Sequence, residues 1–333
     1  MSCLRFRLVF RREWRETMIT CLALALGLTV SACGGGGAST PTSTTATQEQ
    51  STLVSPQSVS TSDGTQAVSM KSASVDSKPA SRNEASRFLM QATFGPTEAD
   101  IDHLMAVGYD AWFKEQFSAP MNTVSHLSFW DQAEASLVNG FNMAGGGPVN
   151  SFWREALSGP DQLRQRVAFA LSEIFVISNL DSCGDNQSSR GVSAYMDMLG
   201  EKAFGNFRQL LEKVALNPIM GCYLSHIHNL KEDPATGREP DQNFAREVMQ
   251  LFSIGLYELN KDASLKLGPT GAPIETYGPQ DIFGMAKVFT GWSWNCGDTS
   301  DSCFFRGFIN DSPKPDRWVR DMQPFARFHS PAA

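Results

Sequence analysis

The stretch that decides the fold is LRQRVAFALSEIFVIS, Leu163–Ser178, in which apolar residues fall on almost every side of a helical projection. A helix that is apolar all round has to be buried. Pro160 precedes it, and proline suits the first turn of a helix, where its missing N–H is not needed. We therefore predict a long central helix over Pro160–Ser178.

Helical patterns also surround this stretch. Pro240–Leu259 is amphipathic over its whole length and predicts a second long helix. The only strand signals are Leu265–Leu267 and Ile274–Tyr277, and the turn residues Gly268–Gly271 separate them. The sequence therefore predicts a mainly α fold over residues 81–333, a multi-helix orthogonal or bundle-like domain with one small β-hairpin.

The first 32 residues are typical of a bacterial signal peptide. Five arginines within the first 15 residues precede the largely apolar run Ile19–Val30, which is too short to span a bilayer as a mature helix. Val30-Ser31-Ala32-Cys33 resembles a lipobox, so we predict cleavage before Cys33 and lipidation of its thiol. An ordinary secretory signal and a retained signal anchor stay open as alternatives.

Residues 33–80 are predicted to be a flexible tether. From residue 34 to residue 80, 19 of the 47 residues are Ser or Thr and none is aromatic. Such a segment buries too little apolar surface to offset the entropy of ordering it. The expected location is the cell envelope, with the membrane bound through the lipid on Cys33, at the outer membrane or the periplasmic face.

Charge and cysteine content narrow the possible partners of the protein and indicate the state of its cysteines. The net charge is −7, and no basic stripe lies outside the N-terminus, so a nucleic-acid partner is not expected. Four of the seven cysteines lie in the predicted domain, and an even number in an exported protein favours disulfides. Cys296 and Cys303 flank a short polar loop and form the first predicted pair. Cys183 with Cys222 is the second, and four free thiols are the alternative.

Four motifs in a fixed order resemble a known family. They are FLMQATFGPT at Phe88–Thr97, LRQRVAFALSEIFVIS, NFAREVMQLFSIG at Asn243–Gly255 and VFTGWSW at Val288–Trp294. Together they resemble the bacterial family called domain of unknown function 1800. The resemblance implies an exported protein without an assigned activity, and it supplies no catalytic residues. It also implies a partner, an exported protein of the domain of unknown function 1501 family, whose genes often lie beside those of this family. Members usually continue past the segment matching Phe328-His329-Ser330, so we expect this chain to be truncated at its C-terminus.

Charged residues on the two long predicted helices are the candidates for chemistry. Arg166 and Glu173 share one stripe of the central helix, and Glu247 falls within the apolar arc of the second helix. Charges among apolar neighbours are costly unless they are paired. We interpret them as a structural ion-pair network, as the acid and base of a hydrolase, or as part of a metal site of the bundle type.

The histidines and aromatic residues offer two further sites. His226 and His228 form the only clustered histidine pair, and with Glu247 or Asp241 they would bind a metal; the alternative is histidines held by ordinary hydrogen bonds. A group of aromatic residues would form either a satellite core or a platform for a sugar or polymer: Trp292, Trp294, Phe304 and Phe305. No motif in the sequence indicates a cofactor.

Two functional hypotheses follow. The first is a membrane-tethered accessory or binding protein that acts at the cell envelope or on an extracellular polymer. The second is a hydrolase that uses Glu173 and Glu247, assisted by a metal at His226 and His228. The sequence does not decide whether the protein is an enzyme.

Overall fold

The computed structural model describes residues 78–332, apart from residues 122–123, 138–145, 180–187, 311 and 314. The predicted signal peptide, Cys33, the tether as far as residue 77 and Cys183 lie outside the described residues. Within them the protein is mainly helical, which confirms the predicted fold class. The twelve helices are α1 Arg82–Ala92, α2 Glu98–Val107, α3 Tyr109–Ser118, α4 His126–Ser136, α5 Gly146–Ser158, α6 Gln162–Ser172, α7 Ser188–Lys202, α8 Phe207–Leu216, α9 Pro218–Tyr223, α10 Asn243–Gln250, α11 Pro279–Val288 and α12 Asp301–Arg306.

The strands are short and lie near the C-terminus. β1 (Trp292–Ser293) pairs antiparallel with β4 (Gln323–Pro324), and β2 (Phe308–Ile309) pairs antiparallel with β3 (Ser312–Pro313). A 3-10 helix, Pro315–Trp318, lies between β3 and β4. No helix in the described ranges has the length and apolar character that crossing a bilayer requires.

Local polar residues set several helix ends. The Thr97 side chain accepts the Asp100 backbone N–H while the Asp100 carboxylate accepts the Thr97 backbone N–H, so α2 begins in a capping box. Asn217 ends α8, and its side chain accepts the Ile219 N–H at the start of α9, where Pro218 occupies the first turn. These caps place α8 and α9 end to end.

The predicted central helix is shorter than expected, and a second helix, α7, also lies at the centre of the helical domain. α6 ends at Ser172, and beyond it Phe175 is buried while Ile174 and Val176 are 50% and 43% exposed. Residues 173–175 form a turn in which the Phe175 N–H donates to the Leu171 carbonyl at 2.8 Å, and this turn directs Phe175 into the core and Ile174 to the surface. The helix that contacts α4, α5, α6 and α8 is α7.

The prediction of one long helix over Pro240–Leu259 was wrong. α10 ends at Gln250, and Leu251 and Ile254 are exposed. Beyond them, residues 256–260, 264–268 and 272–276 are extended. Backbone bonds join Lys266 N–H to the Glu258 carbonyl, Glu258 N–H to the Ile274 carbonyl and Ile274 N–H to the Lys266 carbonyl. Each extended segment therefore pairs with both others. The predicted hairpin turn is present at Leu267–Pro273, but a third segment joins it.

The core consists of adjoining clusters. One lies between α1, α2, α3 and α6 and includes Leu89, Leu104 and Trp112. A second lies between α7, α8, α9 and α10, with Tyr195 and Phe244 at its centre. A third forms under the C-terminal segments around Trp294, Phe304, Trp318 and Phe325. The Cys296–Cys303 disulfide lies in the third cluster, as predicted. Cys222 is also disulfide-bonded.

Candidate functional site

His226 follows α9 and is fully enclosed. Its Nε2 lies 2.8 Å from the Ala215 carbonyl, and its ring stacks on Phe244 with the centroids 3.7 Å apart. Burial lowers the pKa of His226 to about 4, against the smaller raising effect of the Ala215 carbonyl. The ring is therefore neutral at pH 7. Because a carbonyl only accepts, Nε2 carries the proton, and Nδ1 has no hydrogen-bond partner among the described residues.

His228 lies two residues further on, in a different environment. Its backbone has a positive φ of 63° and donates from its N–H to the Trp292 carbonyl. Its ring lies 5.7 Å from those of Trp294 and Phe304. Burial lowers the pKa of His228 to about 4 as well. The two histidines thus enter different clusters, and the part of the chain that the structure describes contains no group of three potential metal ligands.

The charged candidates do not form the expected ion-pair network within the described ranges. Glu173 is exposed just beyond the end of α6. The Arg166 Nε donates to the Gln91 carbonyl at 3.3 Å, and its guanidinium lies over the ring of Phe94 at 5.3 Å. Glu247 is half-buried, and its Oε2 has no hydrogen-bond partner among the described residues. No salt bridge between described residues joins any of the three.

An apolar cleft lies directly in front of His226. It has a volume of about 210 Å³, and its lining consists of Glu212, Ala215, Leu216, Val288, Phe289 and Trp292. The first three belong to α8, and the others come from the end of α11 and the start of β1. His226 supports the wall from behind, because it binds the Ala215 carbonyl and lies 6.0 Å from the Phe289 ring.

Contacts within the lining and behind it hold the walls of the cleft in place. The Trp292 Nε1 donates to the Val288 carbonyl at 3.2 Å, and Phe289 makes an edge-to-face contact with Phe244 at 4.7 Å. The Leu216 carbonyl accepts the Met322 N–H at 2.7 Å. A cleft fixed in this way is formed before a ligand arrives, which lowers the entropy cost of binding.

The electrostatics of the cleft depend on Glu212. Lys213, next to it, forms a salt bridge with Asp321 at 2.5 Å. Lys287, next to Val288, lies 3.4 Å from Glu232. Glu212 is exposed and forms no salt bridge with any described residue. It is therefore the one charged group on an otherwise apolar lining.

The predicted aromatic platform divides between core and surface. Trp294 and Phe304 are buried in the third cluster, which is the satellite-core interpretation. Trp292 is half-buried and lines the cleft, and Phe305 is 47% exposed. Only Trp292 of this group is placed to contact a ligand in the cleft.

A buried polar network around His126 has no counterpart among the sequence predictions. His126 Nδ1 lies 2.9 Å from the Ser151 hydroxyl, which donates to the Pro148 carbonyl at 2.9 Å. Burial lowers the pKa of His126, although the negative charges of Asp197 and Glu155 oppose this effect. Ser151 is fully buried, so no substrate reaches it, and the network stabilises the contacts between α4, α5 and α6.

Asp161 at the start of α6 continues this network. Its Oδ2 accepts the Gln165 amide at 3.2 Å, and burial raises its pKa. A single histidine and a serine far apart in the sequence carry no motif, which is why pattern reading missed them. The one available signal was Gln165, a polar residue on the apolar helix.

Comparison with known proteins gives one match. A family model described as "Protein of unknown function (DUF1800)" matches residues 87–316. No curated protein and no solved structure matches the chain.

Proposed function

The chain belongs to the DUF1800 family, whose description names no activity, and we propose from its own residues that it is an exported, lipid-anchored binding protein of the cell envelope. The observation that carries the binding role is the preformed cleft beside Trp292. A dry cavity of about 150 Å³ is enough to hold benzene. The cleft, at about 210 Å³, therefore accommodates one ring or one short branched alkyl group of a ligand.

The anchor supports a role at the envelope. Residues 1–32 have the features of a signal peptide, and Cys33 directly follows small residues. A lipidated Cys33 and 44 further residues up to residue 77 would hold the helical domain near a membrane while leaving it free to reach its ligand. At roughly 5–6 Å × √n, a flexible chain of this length would have an end-to-end distance of about 33–40 Å.

Lipidation is tested by replacing Cys33. We expect wild-type protein to incorporate labelled palmitate in a bacterial host and to fractionate with membranes. Cys33→Ala should lose the label and leave the membrane fraction or remain uncleaved. Cys222→Ala, which also removes one cysteine, is the control and should keep the label. Equal labelling of the Cys33→Ala variant and wild type would refute the anchor.

Binding in the cleft is tested by filling it. Ala215→Phe places a ring in the cleft, whereas Ala170→Phe places the same ring on an exposed site of α6. With toluene as the probe and saturation-transfer NMR on the full chain in detergent, we expect wild type and Ala170→Phe to bind and Ala215→Phe not to bind. Unchanged binding by Ala215→Phe would show that the probe binds elsewhere.

The partner belongs to the same proposal. The ligand is carried by an envelope or extracellular polymer, or by an exported protein of the domain of unknown function 1501 family. Co-purification from an envelope fraction tests the latter. We expect Ala215→Phe to reduce recovery of that protein and Ala170→Phe to leave it unchanged. Equal recovery with both variants would count against the cleft as its binding site.

A hydrolase acting through Glu247 is the second candidate, and it is favoured by the buried Oε2 of Glu247, which has no hydrogen-bond partner among the described residues. A carboxylate without a partner is a candidate acid or base when it lies beside a substrate. Glu247→Gln preserves the shape of the side chain and removes its proton transfer. We expect Glu247→Gln to lower the hydrolysis of a polymer substrate at least about 100-fold. Glu173→Gln tests whether the exposed carboxylate takes part.

A further inference from the structure

We propose that the cleft between α8 and α11 binds an organic cation, an alkylammonium group carried by the ligand of the proposed function, with its alkyl groups against Phe289 and Trp292 and its charge beside Glu212. This inference rests on the proposed binding role and adds the chemical class of the ligand. The three side chains line one cavity. They combine aromatic rings with a carboxylate, which is the combination that recognises quaternary ammonium groups.

Charge complementarity is the first argument. Glu212 is the only charged residue on the lining and forms no salt bridge with a described residue, although its charge acts through space on the neighbouring Lys213. The two lysines adjacent in sequence to lining residues are held by Asp321 and Glu232. Because Lys213 is held mainly by Asp321, an arriving cation finds a carboxylate that no salt bridge between described residues occupies. The same carboxylate would repel an arriving anion.

The shortage of polar groups is the second argument, and it separates a cation from a sugar. A monosaccharide buries several hydroxyl groups, and each one without a partner costs free energy. Glu212 is the only polar side chain on the lining, because the indole N–H of Trp292 already donates to the Val288 carbonyl. An alkylammonium group has apolar carbons on its outside and needs no set of hydrogen bonds. It therefore fits this lining better than a sugar does.

The rings supply the third argument. No described Lys or Arg lies over the ring of Phe289 or Trp292, although Lys287 lies over Phe283 at 4.8 Å. Trp292 is fixed by its hydrogen bond to the Val288 carbonyl, and Phe289 is fixed by Phe244 behind the cleft. They are therefore preorganised for a cation from another molecule.

The test compares two probes of the same shape. Choline carries a trimethylammonium group, and 3,3-dimethylbutan-1-ol replaces its nitrogen with carbon. Each is titrated into the full chain in an uncharged maltoside detergent and followed by tryptophan emission and NMR. We expect choline to bind at least about tenfold more tightly than the alcohol, and its affinity to fall as salt is added.

Variants test which residues produce the preference for choline over the alcohol. We expect Glu212→Gln to weaken choline binding about tenfold and to leave the alcohol unchanged. Glu239→Gln, which removes an exposed carboxylate far along the sequence from the cleft, should change neither. Trp292→Phe should keep measurable binding and Trp292→Ala should abolish it, with circular dichroism confirming that both variants are folded.

The outcomes separate the two proposals. Equal binding of choline and the alcohol would overturn the cation inference and leave the cleft as an apolar binding site. If choline, the alcohol and toluene all fail to bind, both the cation inference and the proposed binding role of the cleft are overturned. Binding to phosphatidylcholine vesicles without binding of free choline would assign the site to a lipid headgroup and overturn the proposal that a polymer or an exported protein carries the cation.

Discussion

Burial of His226 and His228 makes the stability of the protein fall in acid. Both rings have a pKa of about 4 in the fold, against about 6.5 in an unfolded chain. Burial favours the neutral ring. The stability that comes with the neutral rings is therefore fully present above pH 6.5 and is lost as the pH falls from 6.5 through 4. Each histidine contributes about 1.4 kcal/mol per pH unit in that range, and about 3 kcal/mol in all by pH 4. The lowered pKa of His126 acts in the same direction.

Replacing His226 with glutamine tests this reasoning. Glutamine keeps an N–H for the Ala215 carbonyl but removes the titrating ring. It also removes the stacking on Phe244. We expect the variant to lose about 1–3 kcal/mol at pH 7.5. Between pH 6.5 and 4.5, its free energy of unfolding should fall less steeply than that of wild type, by about 1.4 kcal/mol per pH unit.

Urea unfolding followed by tryptophan fluorescence at closely spaced pH values measures that slope. The control is Val214→Ala, which removes buried carbon atoms from the core cluster that contains Phe244 and removes no titrating group. It should leave the slope unchanged. If His226→Gln has the same pH slope as wild type, His226 is not the neutral, enclosed ring described above, and the reasoning fails.

Three further predictions concern backbone packing, the disulfide and the buried carboxylate. Gly191→Ala in α7 should cost about 1–2 kcal/mol in thermal unfolding, because its new Cβ would lie 2.7 Å from a side-chain carbon and 2.8 Å from a backbone oxygen. Gly284→Ala in α11 has open space and should instead gain about 0.5–1 kcal/mol. Replacing Cys303 with alanine opens a short loop and should lower the free energy of unfolding by about 2.5 kcal/mol; a reducing agent should then have no further effect through this bond. Asp161→Asn should match wild-type stability below pH 3.8 and exceed it as pH rises through the raised pKa of Asp161, where the wild-type carboxylate loses its proton inside the protein.

The sequence predicted the fold class and one disulfide because both depend on local signals. Helical periodicity, caps such as Thr97 and the polar loop between Cys296 and Cys303 are all visible within a few residues. Helix ends were less predictable. Ile174 and Leu251 continue apolar patterns that an isolated helix would favour, yet both are exposed beyond the ends of α6 and α10. Tertiary pairing of the extended segments outweighed their helical pattern.

The candidate site was only partly predictable, because its parts are distant in the sequence. Trp292 lies in one of the four family motifs, and His226 belongs to the clustered histidine pair, so both were visible in the sequence. Glu212 and Ala215 did not, since a surface glutamate and an alanine on an amphipathic helix carry no signal of their own. The same reason hid the contact between His126 and Ser151, which joins two helices that only the folded chain brings together.

The pairing of β1 with β4 sets an order of events while the chain is synthesised. The Phe325 N–H donates to the Gly291 carbonyl, and the Met322 N–H donates to the Leu216 carbonyl on the wall of the cleft. Residues 322–325 emerge from the ribosome about a hundred residues after α8, which ends at Leu216. The wall of the cleft therefore lacks these contacts until residues 322–325 have been synthesised. A nascent chain completes the cleft only after this segment joins α8 and β1, so the cleft is a late product of folding.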